Sequence, residues 1–180
     1  IQHAWNPDTR RFRNFMSYDR RWLEDVGSED SHGRTLCALA RCAASDTDPA
    51  RRSWAAGLFE KALPAVETFS SPRAWAFTLL GLTPYCATND GDMAASRMRR
   101  LLADRLMSLL GANKCGAWHW FENVLAYDNA RLPQALIETG HATGTRAYTD
   151  AGLQSLRWLM AHQTAPSGCF RPVGSDSFGK

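Results

Sequence analysis

Two stretches of this chain place carboxylates beside aromatic, imidazole and guanidinium groups. The first reads Gly27-Ser28-Glu29-Asp30-Ser31-His32-Gly33-Arg34. The second reads Trp118-His119-Trp120-Phe121-Glu122 and runs on to Tyr127-Asp128-Asn129-Ala130-Arg131. Aromatic faces stack on the C–H faces of a pyranose, while carboxylates and guanidinium groups hold its hydroxyls through charge-assisted hydrogen bonds. Hydrolysis of a glycosidic bond takes two carboxyl groups, one protonated to assist the leaving oxygen and one ionised to activate water or attack. Asp30 and Glu122 are the expected catalytic pair, because each precedes a short apolar helix. Trp118, Trp120 and Tyr127 are the expected stacking surfaces, and His32, Arg34, Asp128, Asn129 and Arg131 the expected hydroxyl partners. Each residue also has a plainer role open to it. Ser28, Asp30 and Ser31 suit the N-terminus of a helix, where side-chain oxygens accept first-turn N–H groups. Asp128 suits a cap of the fifth helix, Glu122 an ion pair with Arg131 or Arg34, and the tryptophans a packed core.

The elements that must position these groups are helical. Trp54, Leu58, Phe59, Leu63 and Val66 recur at helical spacing over residues 50–69, and Pro64 should end the regular part. An apolar helix follows over 74–86, an amphipathic one over 93–110, a short apolar one over 129–139 and a last one over 146–162. The polar cluster at 27–34 leads into an apolar helix over 35–44. Before it, alternation of Phe12, Asn14, Met16 and Tyr18 predicts a short β-hairpin within residues 5–23, with Asp19-Arg20-Arg21 as its turn or rim. The residues from Pro166 on read as a loop.

A unit recurs three times: a polar cap, an arginine at the helix entrance, a short apolar helix and a longer amphipathic one. The entrances are His32-Gly33-Arg34, Ser71-Pro72-Arg73 and Asn129-Ala130-Arg131. This pattern predicts an all-α protein of α-hairpin repeats forming about half of an (α/α) toroid, with short irregular or β-hairpin loops before the inner helices. In such a fold the inner helices start around one end of the barrel. The whole chain, 1–180, reads as a single helical domain.

Composition narrows the function classes. A net charge of +3, with arginines scattered among acids, gives no nucleic-acid footprint. Nor does any apolar run approach the roughly 20 residues of a membrane span. The five cysteines form no C-x-x-C pair and read as buried free thiols of a reducing cytoplasm. The histidines lack metal-ligand spacing, and neither a Gly-rich phosphate loop nor a G-x-S-x-G elbow is present, so no metal or cofactor is expected.

The motifs G-S-E-D-S-H-G-R, S-P-R-A-W-A-F and W-H-W-F-E-N-V-L-A-Y-D-N-A-R-L-P-Q-A-L-I, in that order, resemble the six-hairpin glycosidase-like (α/α) toroid domain of bacterial polysaccharide-associated proteins, some described as glycosyltransferases. The resemblance spans nearly the whole chain, and the third motif is the most specific. It implies a carbohydrate-active domain that binds or cleaves an oligosaccharide or polysaccharide, or one that holds glycan without catalysis beside a glycosyltransferase domain. Asp30, His32, Arg34, Glu122, Asp128, Asn129 and Arg131 match its motif positions. Family members continue past the equivalent of Phe170–Ser175 into further hairpins, so the chain reads as truncated at its C-terminus and perhaps at its N-terminus.

Overall fold

The computed structural model describes residues 1–172 and the backbone of Phe178–Gly179. The chain divides into two compact units, residues 1–99 and 100–180. The all-α expectation holds at the level of class: among the described residues six α-helices carry the fold, and the strands are two residues long.

In the first unit, strands β1 (Trp5–Asn6) and β2 (Arg11–Phe12) pair antiparallel through a turn in which Arg10 takes a left-handed φ of 54°. A further bridge joins Met16 to Trp22, and the Ser17 hydroxyl donates to the Arg21 carbonyl to close the loop around Arg20. The single expected hairpin is thus two smaller ones. Helix α1 (Glu29–Ser45) starts six residues earlier than its apolar segment suggests. Ser28 Oγ accepts from the Ser31 amide at 3.1 Å, and the charges of Glu29 and Asp30 complement the dipole of the first turn. The polar cluster is therefore helix rather than loop.

Helix α2 (Pro49–Ala62) is capped by Asp48, and at Leu63 it tightens into a 3₁₀ turn, Leu63–Thr68, because Pro64 has no N–H to continue the α ladder. Helix α3 (Pro72–Thr88), capped by Ser71, is buried on nearly every side.

Helices α1 and α3 lie against each other and run parallel. A Cβ added at Gly33 would sit 2.7 Å from the Ala74 carbonyl oxygen, and one at Gly81 would sit 2.9 Å from the Cys37 Cα. Early residues of α1 therefore meet early residues of α3, and later ones meet later ones. Gly33→Ala is expected to lower stability by about 1–3 kcal/mol, since two helix backbones must separate. Gly57→Ala in α2, where nothing lies within 4 Å, is expected instead to gain up to about 1 kcal/mol from helix propensity. Urea unfolding of the two variants checks the opposite signs.

Helix α4 (Met93–Asn113) contains the division between the units. In the second unit, strand β3 (Val124–Leu125) pairs antiparallel with β4 (Phe178–Gly179). Helices α5 (Arg131–Thr143) and α6 (Arg146–His162) form an antiparallel hairpin closed by Gly144 at a left-handed φ of 67°. The hairpin is tight because Gly152 of α6 faces the Pro133 carbonyl, leaving 2.8 Å for a Cβ. Helix α5 starts two residues later and runs four residues further than the expected 129–139, so Gly140 lies inside it.

All five cysteines are free, but only Cys86 is buried. Cys115 and Cys169 are exposed, which corrects the expectation of five core thiols. No helix among the described residues is long and apolar enough to cross a membrane.

Candidate functional site

The start of α1 is built by residues from three separate segments. Glu29 Oε2 accepts the Ser70 and Ser71 amides at 2.9 and 2.6 Å, so one carboxylate satisfies two N–H groups at the entrance of α3. Ser71 Oγ donates to Asp30 Oδ1 at 2.8 Å while accepting from the Ala74 amide at 3.3 Å. The starts of α1 and α3 are thereby fastened to each other. From the other side, Arg11 donates to the Gly27 carbonyl at 2.7 Å, and its guanidinium lies over the Phe69 ring at 4.4 Å. Glu24 accepts the amides of Asn14 and Phe15. These bonds hold the N-terminal hairpins beside the helix start.

Between them opens a cleft of about 410 Å3, with polar atoms from Asn14, Ser28, Asp30, Ser31, Arg34 and Thr35 and an apolar patch at Ala38. The Arg34 guanidinium lies over the Phe77 ring, 4.2 Å from its centroid, which orients its flat face. A carboxylate, a guanidinium, an amide and three hydroxyls on one concave surface are hydrogen-bonding partners for a polyol. The volume falls within the range of small-ligand sites.

His32 does not share this cleft. It points into the core, fully buried between Phe12 and Phe69, with ring centroids 5.1 and 5.2 Å away. Its Nδ1 accepts the Phe12 amide at 3.4 Å, which fixes the proton on Nε2, and Nε2 donates to the Ala62 carbonyl at 3.1 Å. Burial pushes its pKa down to about 4, with nearby Arg11 adding to the shift and the Ala62 bond opposing it. His32 is a structural pin rather than a sugar contact.

The second-unit residues separate in the same way. Trp120 has no exposed surface and stacks on Trp158 at 5.8 Å, with Phe121 edge-on at 5.3 Å. Trp118 is buried, donates its indole N–H to the Glu122 carbonyl at 2.8 Å and packs edge-on against Trp158. Neither tryptophan offers a face to a ligand, so their expected stacking role is corrected to core packing. Asn129 is also buried: its Oδ1 accepts the Ala126 amide and its Nδ2 donates to the Ala126 carbonyl, both at 3.1 Å. That clamp shapes the loop, and Asp128 inside it takes a left-handed φ of 50°. Asp128 contributes its backbone carbonyl, not its carboxylate, to the Arg131 amide at the start of α5. What the clamp displays is Tyr127, 55 % exposed, with Arg131 exposed nearby in sequence and bonded to Gln134 at 2.8 Å. Glu122 is half-buried.

Asp30 and Arg34 thus share one cleft of the first unit, whereas Glu122, Tyr127, Asp128 and Arg131 belong to the second unit. The three entrance arginines are not equivalent either, since Arg34 and Arg131 are exposed and Arg73 is buried. Glu29, Ser71, Asn14 and Thr35 are site residues that sequence reasoning did not single out. Ser71 stands in a polar cap and Glu29 has no expected role, and only folding shows that each reaches across to the other's helix. No protein family, curated protein or solved structure matches this chain. Nor does any group of three or more histidine, cysteine or acidic side chains among the described residues form a metal site.

Proposed function

We propose that the chain is a carbohydrate-active helical domain, glycosidase-like in kind, that receives a sugar unit of an oligosaccharide or polysaccharide in the cleft at the start of α1. The observation that carries this reading is the convergence of Asp30, Arg34, Asn14 and the serine and threonine hydroxyls on one sugar-sized hollow. Arg34 donates to ring hydroxyls, and Asp30, held by the Ser71 hydroxyl, accepts from them. In the hydrolytic form of the proposal Asp30 is the base. A carboxylate facing that hollow can activate the water that attacks the sugar. Tyr127 and Arg131 are proposed as further sugar contacts of the second unit.

The test is turnover of a library of bacterial oligosaccharides. Asp30→Asn is expected to lose roughly 10²–10⁴-fold in rate, the usual worth of a general base. If the wild type cleaves nothing but binds glycan, the domain holds sugar without catalysis, as an accompaniment to a glycosyltransferase domain. If it neither cleaves nor binds, the carbohydrate reading is wrong.

A further inference from the structure

A second cleft, of about 420 Å3, opens at the other end of the first unit, where α1 and α3 finish and α2 begins. Its polar atoms come from Arg52, Ser53, Thr88 and Asn89, and its apolar wall from alanines and Pro49. Arg52 is half-buried, and its Nη1 donates to the Asp46 carbonyl at 2.7 Å. That bond fixes the guanidinium without neutralising it. The two nearby carboxylates are taken by the neighbouring arginine: Arg51 pairs with Asp46 at 2.9 Å and with Asp48 at 3.1 Å. Among the described residues no carboxylate pairs with Arg52, and its Nε and Nη2 have no partner. Asn89 spends its Nδ2 on the Tyr85 carbonyl and on Thr88 Oγ1, both at 3.0 Å, which leaves Oδ1 to accept. The Thr88 hydroxyl hydrogen goes to helix carbonyls, so its oxygen receives rather than gives, while the exposed Ser53 hydroxyl has no partner among the described residues.

We propose that this cleft is a binding site for an acidic monosaccharide of the hexuronate class. The carboxylate pairs with the fork of Arg52, one ring hydroxyl donates to Asn89 Oδ1, another accepts from Ser53, and the ring's C–H face lies on the alanine and proline wall. A guanidinium fork matches a carboxylate geometrically, and that pairing is stronger in a half-buried setting than in open water. A doubly charged phosphate fits less well. Among the described residues Arg52 is the one cationic side chain of the cleft lining, and the carbonyl ends of α1 and α3 oppose the favourable N-terminus of α2 there, so a single negative charge is matched better than two. The site is separate from the cleft at the start of α1 and does not depend on what that cleft binds.

The experiment is a chemical-shift titration of the ¹⁵N-labelled chain with glucuronate, glucose and acetate as probes. Glucuronate is expected to move the amides of Ala44, Ser53 and Asn89, with glucose and acetate each at least about tenfold weaker, because each lacks one half of the recognition. Arg52→Gln is expected to weaken glucuronate at least about tenfold. Ser53→Asp provides a variant whose folding is not in question, since an acid in the first turns of α2 suits the dipole; it is expected to repel the ligand by a similar factor. Arg34→Ala is expected to leave these shifts unchanged. Glucuronate binding that survives Arg52→Gln and Ser53→Asp, shifts confined to the α1 start, or no shift at millimolar glucuronate would each overturn the assignment.

Discussion

Lowering the pH from 7 to 4 is expected to cost the first unit roughly 3 kcal/mol through His32 alone, at about 1.4 kcal/mol per pKa unit. The imidazole's pKa is brought down from 6.5 to about 4, chiefly by burial. As pH falls, the unfolded chain therefore takes up this proton first, near 6.5. The folded chain resists until about 4, because a charged ring would sit among Phe12 and Phe69 and would lose the Phe12 N–H bond to Nδ1. The stabilisation is complete above 6.5, drains between 6.5 and 4, and is constant below. Urea unfolding of the wild type and of His32→Gln, measured across that interval, isolates the effect from the titration of surface carboxylates, which the two proteins share. The difference between their curves should shrink by the stated amount as pH drops. A difference that does not change with pH would show that His32 is not held neutral.

Trp120→Ala is expected to destabilise the chain by about 3–5 kcal/mol, the usual cost of emptying a large aromatic site. The ring is sealed against Trp158 and Phe121. Its indole N–H, however, has no hydrogen-bond partner among the described residues. That orphaned donor already costs stability, so Trp120→Phe should be far milder than truncation, because it removes the polar atom and keeps most of the contact. Tyr127→Ala, on the exposed loop next door in sequence, should change stability by less than about 0.5 kcal/mol. Thermal or urea unfolding of the three variants decides between a core and a surface role. A Trp120→Ala protein as stable as the wild type would return the ring to the surface.

Much of the helical frame was legible because periodicity and caps are local signals. Ser71 and Asp48 cap where such residues should, Pro64 ends the α ladder of α2, and α6 begins and ends where its pattern does. The start of α1 was misplaced because its first turn is polar, and apolar periodicity is silent where a helix has no buried face yet. Which aromatics are surface and which are core was not legible around residue 120. Trp118 and Trp120 were expected as stacking surfaces, but burial there comes from Trp158, nearly forty positions along the chain. His32 misled for a related reason: its partners Phe12 and Ala62 come from a hairpin and a helix end that no local pattern links to it. The cleft itself was half-legible. Asp30 and Arg34 stood out by type, in a polar cluster ahead of an apolar segment, whereas Asn14 arrives from a separate hairpin.

The most direct test of the account is where a neutral oligosaccharide touches the labelled chain. Bacterial oligosaccharides titrated against the ¹⁵N protein should move the amides of Asn14, Ser31, Arg34 and Ala38, and the movement should weaken about tenfold or more in both Asp30→Asn and Arg34→Ala. Shifts that appear elsewhere, or that persist undiminished in both variants, would contradict the placement of sugar at the start of α1.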